Sequence, residues 1–220
     1  VMQKTVPVVH EPSAKRLQTL LPGEVEAPGT VSGKSGAASG QKVAAPFSVS
    51  VYAADTYFNP ITDNPSITKQ VTVTLPDDPN APAIASANLS SGRADFTVEF
   101  VTKGPHTVKA ADTSGVIPLL DQRVAPLNVL PADAVKLLVL MPGEAAQPGT
   151  SPNGSGKTSA GLLAQRAGDG FDVTVYCVDK YWNIVPAANP TVTLYTDSQY
   201  DDQSTLTEKA LSQGEAVFTG

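Results

Sequence analysis

Apolar residues alternate with polar or small ones along two stretches of the chain. In residues 47–53 one phase reads Phe, Val, Val, Ala, and in residues 171–177 the same phase reads Phe, Val, Val, Cys. Ser48 and Ser50 lie in the other phase of the first stretch, and Asp172 and Thr174 lie in the other phase of the second. A period of two is typical of a β-strand that turns one face to a core and the other to water. Each stretch is therefore predicted to be a strand.

Both predicted strands run into the same series of residue types. Residues 51–61 read Val-Tyr-Ala-Ala-Asp-Thr-Tyr-Phe-Asn-Pro-Ile, and residues 175–185 read Val-Tyr-Cys-Val-Asp-Lys-Tyr-Trp-Asn-Ile-Val. Each series predicts the end of a strand, then an Asp, an aromatic pair and an Asn at a turn. The chain is therefore predicted to contain two copies of one β unit.

Further matched segments surround these two copies. Leu137–Glu144 repeats Leu17–Glu24 at an offset of 120 residues, and both contain Pro-Gly-Glu. The other matched pairs are Pro28–Thr30 with Pro148–Thr150, Val71–Leu75 with Thr191–Tyr195, and Ala94–Phe100 with Ala216–Thr219. A repeat of this length, with turn residues at matched places, predicts tandem globular domains and not a thin solenoid.

In this order, the segments resemble the bacterial immunoglobulin-like repeats (Big, invasin-type) of long surface proteins, adhesins and stalks. The resemblance covers essentially the whole chain. It rests on the Leu17–Glu24 segment, the Val-Tyr-x-x-Asp-x-Tyr-aromatic-Asn block, the Val-Thr-Val-Thr strand with its acidic loop, and the Gly-x-Ala-x-Phe strand. It implies an all-β fold of two tandem immunoglobulin-like antiparallel β-sandwich domains, secretion, and no catalytic residues. About seven short strands with regular turn signals predict the same sandwich from the residues alone.

The repeat also sets the predicted domain limits. Residues 1–13 are predicted to be the tail strand of a preceding repeat, residues 14–130 a first domain with its linker, and residues 131–220 a second domain that is incomplete at its C-terminal end. Two explanations of these ends stay open. One is a phase-shifted piece of a longer array; the other is donation of Val6–Val9 from one molecule to the second domain of the next, which gives a head-to-tail fibre. The first needs fewer assumptions and is preferred.

Composition narrows the class of protein. Hydrophobic residues make up 41% of the 220 residues, enough for packed cores. The net charge is −6 and no run of Lys or Arg is present, which disfavours nucleic-acid binding. No apolar run approaches the ~20 residues that cross a membrane. The single cysteine, Cys177, excludes an internal disulfide and is predicted to be a small buried residue of its strand.

The triplets Gly-Lys-Ser at 33–35 and Gly-Lys-Thr at 156–158 suggest a phosphate-binding loop. That motif needs a further glycine five positions earlier, and these places hold Pro28 and Ser151. A strand is predicted after each triplet, so no helix N-terminus is available to hold phosphate. Flexible surface loops explain this composition better.

The matched Asp and Asn residues at the turns are candidate calcium ligands, because Ca²⁺ prefers carboxylate and carbonyl oxygens. The candidates are Asp55, Asn59 and Asp78 in the first copy and Asp179, Asn183 and Asp197 in the second. Asp and Asn also cap their own backbone at strand ends. No EF-hand spacing is present. Capping is therefore the preferred interpretation, calcium is the alternative, and no other cofactor is predicted.

The aromatic pairs Tyr57-Phe58 and Tyr181-Trp182 also have two interpretations. They form either a carbohydrate-stacking or interface patch, or they close the end of a sandwich core or pack against the neighbouring domain. Packing is preferred because large aromatic side chains are mostly buried.

Modification and catalysis leave weaker signals. Asn88 and Asn153 each begin an Asn-x-Ser acceptor pattern for N-glycosylation, although the Ser- and Thr-rich loops suit O-linked sugar equally. The only histidines, His10 and His106, lie in neither a nucleophile-elbow nor a zinc-ligand spacing. The chain is therefore predicted not to be an enzyme.

The leading hypothesis is a structural or adhesive module of a secreted bacterial surface protein, stalk or filament. The alternative is an extracellular module that binds a glycan or a protein through its aromatic turns. The predicted partners are neighbouring repeats of the same long chain, with self-assembly into a fibre or surface layer as a second form of association.

Overall fold

The computed structural model describes residues 9–11, 13–113, 124–158, 161–197 and 208–219. All regular structure in these residues is β-strand, and they contain no helix. Every strand pairing whose register is defined among them is antiparallel. The prediction of an all-β fold is therefore confirmed.

Contacts between Cα atoms divide the chain into two compact units. The first consists of Val1–Gln41, Ala45–Phe100 and Gly104–Asn128. The second consists of Lys42–Ala44, Val101–Lys103 and Val129–Gly220, so two short segments belong to it although their sequence neighbours belong to the first.

The strands of the first unit, or at its border, come first in the chain. They are β1 (Arg16–Leu20), β2 (Val25–Glu26), β3 (Lys34–Ser35), β4 (Gln41–Lys42), β5 (Phe47–Ala54), β6 (Gln70–Thr74), β7 (Ala87–Asn88), β8 (Arg93–Val98), β9 (Gly104–Asp112) and β10 (Val124–Leu130). The strands of the second unit are β11 (Lys136–Leu140), β12 (Val173–Val178), β13 (Thr191–Thr193), β14 (Glu208–Ala210) and β15 (Glu215–Phe218).

Two main sheets build the core of the first unit. One has the strand order β1-β5-β8 and the other the order β4-β10-β9-β6-β7. Val49 and Val51 of β5 pair with Phe96 and Ala94 of β8, and all four side chains are buried. Val108 of β9, in the other sheet, is buried as well, and β1 contacts β9. Each sheet therefore turns an apolar face inward, which is the arrangement of a β-sandwich.

The second unit repeats the first of these sheets. Its strand order, β11-β12-β15, matches β1-β5-β8. On β12 the side chains of Val173, Val175 and Cys177 are buried and pack in one cluster with Ala216 and Phe218 of β15. Strands β13 and β14 form a separate pair. The same three strands of each copy thus pair in the same order, and β12 and β15 keep the buried inward positions of β5 and β8.

A two-residue turn leads into the last strand of this sheet in both units. Ser91 and Gly92 both have positive φ (47° and 73°), as do Gln213 and Gly214 (55° and 76°). Two successive positive φ values define the type I′ turn, whose twist matches that of a β-hairpin. At Gly92 a Cβ atom would overlap the carbonyl of Ile61, so only glycine fits there.

One face of β11 differs from its counterpart in the first unit. Leu137 and Val139 are 46% and 37% exposed, whereas Leu17 and Thr19 of β1 are 0% and 2% exposed. In the first unit β1 contacts β9. The prediction that the second domain is incomplete stays a prediction.

Several smaller predictions can be compared with the structure. Cys177 is buried at 6% exposure, so its predicted buried position is confirmed. The predicted tail strand Val6–Val9 lies almost wholly outside the described residues.

Candidate functional site

The Asp-aromatic-Asn turn of the first unit is a closed hydrogen-bonded corner around Asp55. The carboxylate of Asp55, 1% exposed, accepts hydrogen bonds from the N–H groups of Tyr57 (2.8 Å) and Asn59 (2.9 Å) at Oδ1. Its Oδ2 accepts from the Asn59 side-chain amide (2.7 Å) and from the N–H of Glu11 (3.1 Å). Protein donors thus serve both oxygens of a carboxylate that follows directly on β5.

The second unit builds the same corner around Asp179, which is fully buried. The N–H groups of Tyr181 (2.9 Å) and Asn183 (3.0 Å) donate to Oδ1, and the N–H of Ala132 donates to Oδ2 (3.0 Å). The Asn183 side-chain amide donates to the same carboxylate. Ala132 therefore takes the role of Glu11. In each unit the corner joins the residues before the strand β1 or β11 to the turn after the strand β5 or β12.

The environment of the first corner favours the charged carboxylate. Burial raises the pKa of Asp55, but the hydrogen bonds from Asn59, Glu11 and Tyr57 outweigh burial and hold the pKa below its usual 3.8. A carboxylate that accepts several N–H groups is stabilised in its ionised form. Asp55 thus acts as a fixed negative charge that organises backbone donors.

The second aromatic residue of each corner lies on a glycine of the preceding loop. Phe58 and Trp182 have positive φ (63° and 67°), which is unusual for bulky residues. A Cβ atom at Gly33 would overlap the Phe58 ring, and one at Gly156 would overlap the Trp182 ring. Only glycine therefore allows these rings to sit against the loop.

A basic side chain lies over each of these two rings. The Arg16 guanidinium lies 4.6 Å from the centre of the Phe58 ring, and the Lys136 Nζ atom lies 3.3 Å from the centre of the Trp182 ring. Trp182 also donates its Nε1–H to the Ser151 carbonyl (3.0 Å). Such cation–π contacts stabilise the packing by ~0.5–1 kcal/mol at exposed sites.

The lysines of the two Gly-Lys triplets form ion pairs. Lys34 Nζ lies 2.6 Å from Glu24 Oε1, and Lys157 Nζ lies 2.7 Å from Glu144 Oε2. Both glutamates belong to the Pro-Gly-Glu segments and also accept a backbone hydrogen bond. Glu24 accepts from the N–H of Leu21, and Glu144 accepts from the N–H of Met141. The interpretation of the triplets as flexible loop residues therefore missed their packing, although the matched glycines and the matched Glu were signals for it.

The two residues of the first aromatic pair differ in burial, and those of the second do not. Phe58 is buried and Tyr57 is 63% exposed, whereas Tyr181 and Trp182 are both half-buried. In the first pair the core thus takes the second aromatic residue and leaves the first at the surface. Whether the exposed ring binds a ligand stays a prediction.

The other candidate calcium ligands are placed differently in the two copies. Asp78 is buried at 2% exposure, and Asp197 is exposed. In the described part of the chain, no group of three or more His, Cys, Asp or Glu side chains is arranged to hold a metal ion. Calcium binding at these corners stays a prediction.

Both candidate glycosylation residues are exposed. Asn88 lies on β7, and Asn153 lies in the loop between β11 and β12. An acceptor has to lie at the surface, and glycosylation of either residue stays a prediction.

A shallow groove recurs beside the Pro-Gly-Glu loop of each unit. The groove of the first unit has a volume of about 360 Å³, that of the second about 670 Å³. Leu20 and Tyr52 line the first, and Leu140 and Tyr176 line the second. No catalytic group with a nucleophile-base pairing lies among the lining residues.

No protein-family model matches this chain, and no curated protein matches it. The solved structures that resemble it include domains 4 and 5 of the S-layer protein SbsC, with 18% identity over 42% of this chain and a TM-score of 0.30. The chain spans 47% of that structure. Domains 5–6 of SbsC match at 16% identity over 81% of this chain and 90% of the structure, with a TM-score of 0.30.

A third similar structure is FdeC, an adhesin of Escherichia coli. It matches at 13% identity over 82% of this chain and 56% of the structure, with a TM-score of 0.38. At identities and TM-scores this low, the likeness defines neither the fold nor the function of this chain.

Proposed function

We propose that this chain is part of a bacterial cell-surface protein with a structural or adhesive role. In this proposal it consists of two tandem immunoglobulin-like β-sandwich domains, acts outside the cell and has no catalytic activity. Its partners are neighbouring domains of the same long chain, with fibre or surface-layer assembly as a further form of association.

The observation that carries this proposal is the recurrence of the buried corner. Asp55 and Asp179 accept hydrogen bonds from equivalent donors at nearly equal distances in the two units. A repeated, closely packed module suits a protein that spans distance or bears load. The net charge of −6 suits a soluble surface that resists nonspecific association.

The location part of the proposal can be tested on cells of the source organism. Antibodies raised against the chain are expected to label intact cells as strongly as permeabilised cells. An antibody against a cytoplasmic enzyme serves as the control, since it should label only permeabilised cells. Labelling by the first antibody that requires permeabilisation would overturn the proposed location.

A glycan- or protein-binding module is the second candidate, favoured by the exposed Tyr57 ring. A Tyr57→Ala variant keeps the backbone bonds of the corner, because only the N–H and C=O groups of Tyr57 take part in them. Binding to a glycan array that this variant loses would favour the second candidate. Tyr195→Ala is the matched control, since Tyr195 is 70% exposed and lies outside the aromatic turns.

A further inference from the structure

The corner of the second unit holds a three-residue segment, Val101–Lys103, which belongs to that unit. The Asn183 side-chain amide donates to the Val101 carbonyl (2.9 Å), and Asn183 Oδ1 accepts from the Lys103 N–H (2.9 Å). Lys103 also donates Nζ–H to the Ile184 carbonyl (2.8 Å). Asn183 is fully buried as a result.

Thr102, the middle residue of the segment, packs on the neighbouring turn at Gly149. Gly149 donates its N–H to the Tyr181 carbonyl (2.8 Å) and is buried. A Cβ atom at Gly149 would overlap the Thr102 side chain. The segment thus fits the corner by three hydrogen bonds and by close packing on a glycine.

The first unit has the same hydrogen-bonded turn, and none of the residues that the structure describes takes the position that Val101–Lys103 holds in the second unit. Gly29 donates its N–H to the Tyr57 carbonyl (2.8 Å) and has φ of 77°, close to the 73° of Gly149. Gly29 is nevertheless exposed, and a Cβ atom there would meet nothing within 4 Å. Asn59 is only half-buried, and no described residue donates a hydrogen bond to its Oδ1 atom.

We propose that the surface formed by Gly29, Asn59 and Pro60 is a docking site for a segment equivalent to Val101–Lys103 from another domain of the same kind. Its occupant presents a backbone carbonyl, a small side chain against Gly29, and an N–H group two residues after the carbonyl. A basic side chain completes it by reaching the Pro60 carbonyl, since Pro60 occupies the position of Ile184 in the turn.

The site is already organised for this occupant. Asp55 holds the Asn59 amide by a 2.7 Å hydrogen bond, so little side-chain freedom is lost when a segment binds. The Val101–Lys103 segment of the same chain is engaged at Asn183. The occupant therefore comes from a further domain, and this inference rests on the tandem construction in the proposed function but not on the surface location.

The test uses the full chain with residues 10–130 duplicated in tandem, so that residue 130 of the first copy is followed by residue 10 of the second. The junction preserves the natural spacing, because Glu11 and Ala132 play equivalent roles at the two corners. Thr102→Cys in the first copy is combined with Gly29→Cys in the second, in a Cys177→Ala background. The unextended chain with Thr102→Cys and Gly149→Cys is the positive control.

Mass spectrometry after mild oxidation measures the yield of the disulfide. The proposal predicts a crosslinked peptide in the duplicated chain with a yield within about twofold of the positive control. A positive control that crosslinks while the duplicated chain does not would overturn the docking site. Absence of the crosslink would not change the result of the cell-labelling experiment. The docking site and the proposed surface location are therefore tested independently.

A second measurement avoids cysteine pairs. Gly29→Ala is placed in either the first or the second copy of the duplicated chain, and melting is followed by calorimetry. Docking predicts a larger fall in Tm when the substitution is in the second copy, where it faces Thr102 of the first. Equal falls at both positions would contradict docking, because backbone strain from positive φ is the same in both copies.

Discussion

The indole ring of Trp182 lies so closely against the backbone of Gly156 that a Cβ atom at Gly156 would overlap the ring atoms. The same relationship joins Phe58 to Gly33 in the first unit. Each contact combines a bulky residue at positive φ with a glycine at positive φ (73° at Gly33 and 69° at Gly156). The glycine is present in both copies, the aromatic residue is Phe in one and Trp in the other, and the pair joins the Gly-rich loop to the corner.

Gly156→Ala is expected to destabilise the second unit more than an ordinary glycine substitution. Overpacking against Trp182 costs about 1–3 kcal/mol, and the positive φ adds about 1–2 kcal/mol. Gly168→Ala is the matched control, because Gly168 also has positive φ (87°) but a Cβ atom there meets nothing within 4 Å. Urea unfolding of the two variants measures the difference. Equal midpoints would show that the ring moves aside without cost.

Asp55→Asn is expected to lower the free energy of unfolding at neutral pH by about 1–3 kcal/mol. The new amide group would face N–H donors where a carboxylate oxygen now accepts them. Asp95→Asn is the control: its pKa is also lowered, by Arg93 and Ser50, but its side chain is half exposed and its ion pair is screened by solvent. A smaller loss for Asp55→Asn than for Asp95→Asn would contradict the role given to the corner.

The same pair of variants predicts a pH dependence. The pKa of Asp55 is lower in the fold than its usual 3.8, so the carboxylate stabilises the fold above pH 3.8. This contribution is lost as the pH falls through the folded-state pKa. Asp55→Asn should therefore flatten the fall in stability below pH 3.8, and acid unfolding curves measure it. A variant with the same acid transition as the parent would show that other carboxylates govern it.

The sequence predicted the strands well because their signal is local. Alternation at 47–53 and 171–177 fixes which side chains of β5 and β12 face the core, whatever packs on them. The matched Asp and Asn residues likewise mark a turn by their own hydrogen-bonding capacity. These features need no knowledge of distant contacts.

Features that depend on distant contacts were not predicted. The residues next to Gly33 do not indicate that Phe58 will pack on it, and the residues next to Thr102 do not indicate that it will pack on Gly149. The exposure of Leu137, against the burial of Leu17 at the matched place, likewise depends on what packs over each strand. Comparison of the two copies was the only sequence signal for these contacts, through glycines kept at equivalent positions.

Chelation tests the calcium alternative directly. Hydrogen bonds from protein donors already occupy both carboxylate oxygens of Asp55 and of Asp179. Added EDTA is therefore expected to leave the Tm unchanged. Since a ligand that binds the folded state raises its stability by mass action, a fall of several degrees on chelation, restored by Ca²⁺ and not by Mg²⁺, would establish calcium sites instead.

Cys177 provides the last prediction, because the first copy shows what can replace it. The residue at the matched position of β5 is Ala53, fully buried, and Cys177 is itself 6% exposed. Burial raises the pKa of the Cys177 thiol, which disfavours the reactive thiolate. Cys177→Ala is therefore expected to fold normally with a loss of only about 1 kcal/mol or less, and the parent thiol should react with Ellman's reagent only when the protein unfolds. Cys177→Ser is the control, since it buries a hydroxyl in the cluster of Val175 and Phe218 and should cost more. Rapid labelling of the thiol in the native protein, or equal stability of the two variants, would mean that β12 opens to solvent.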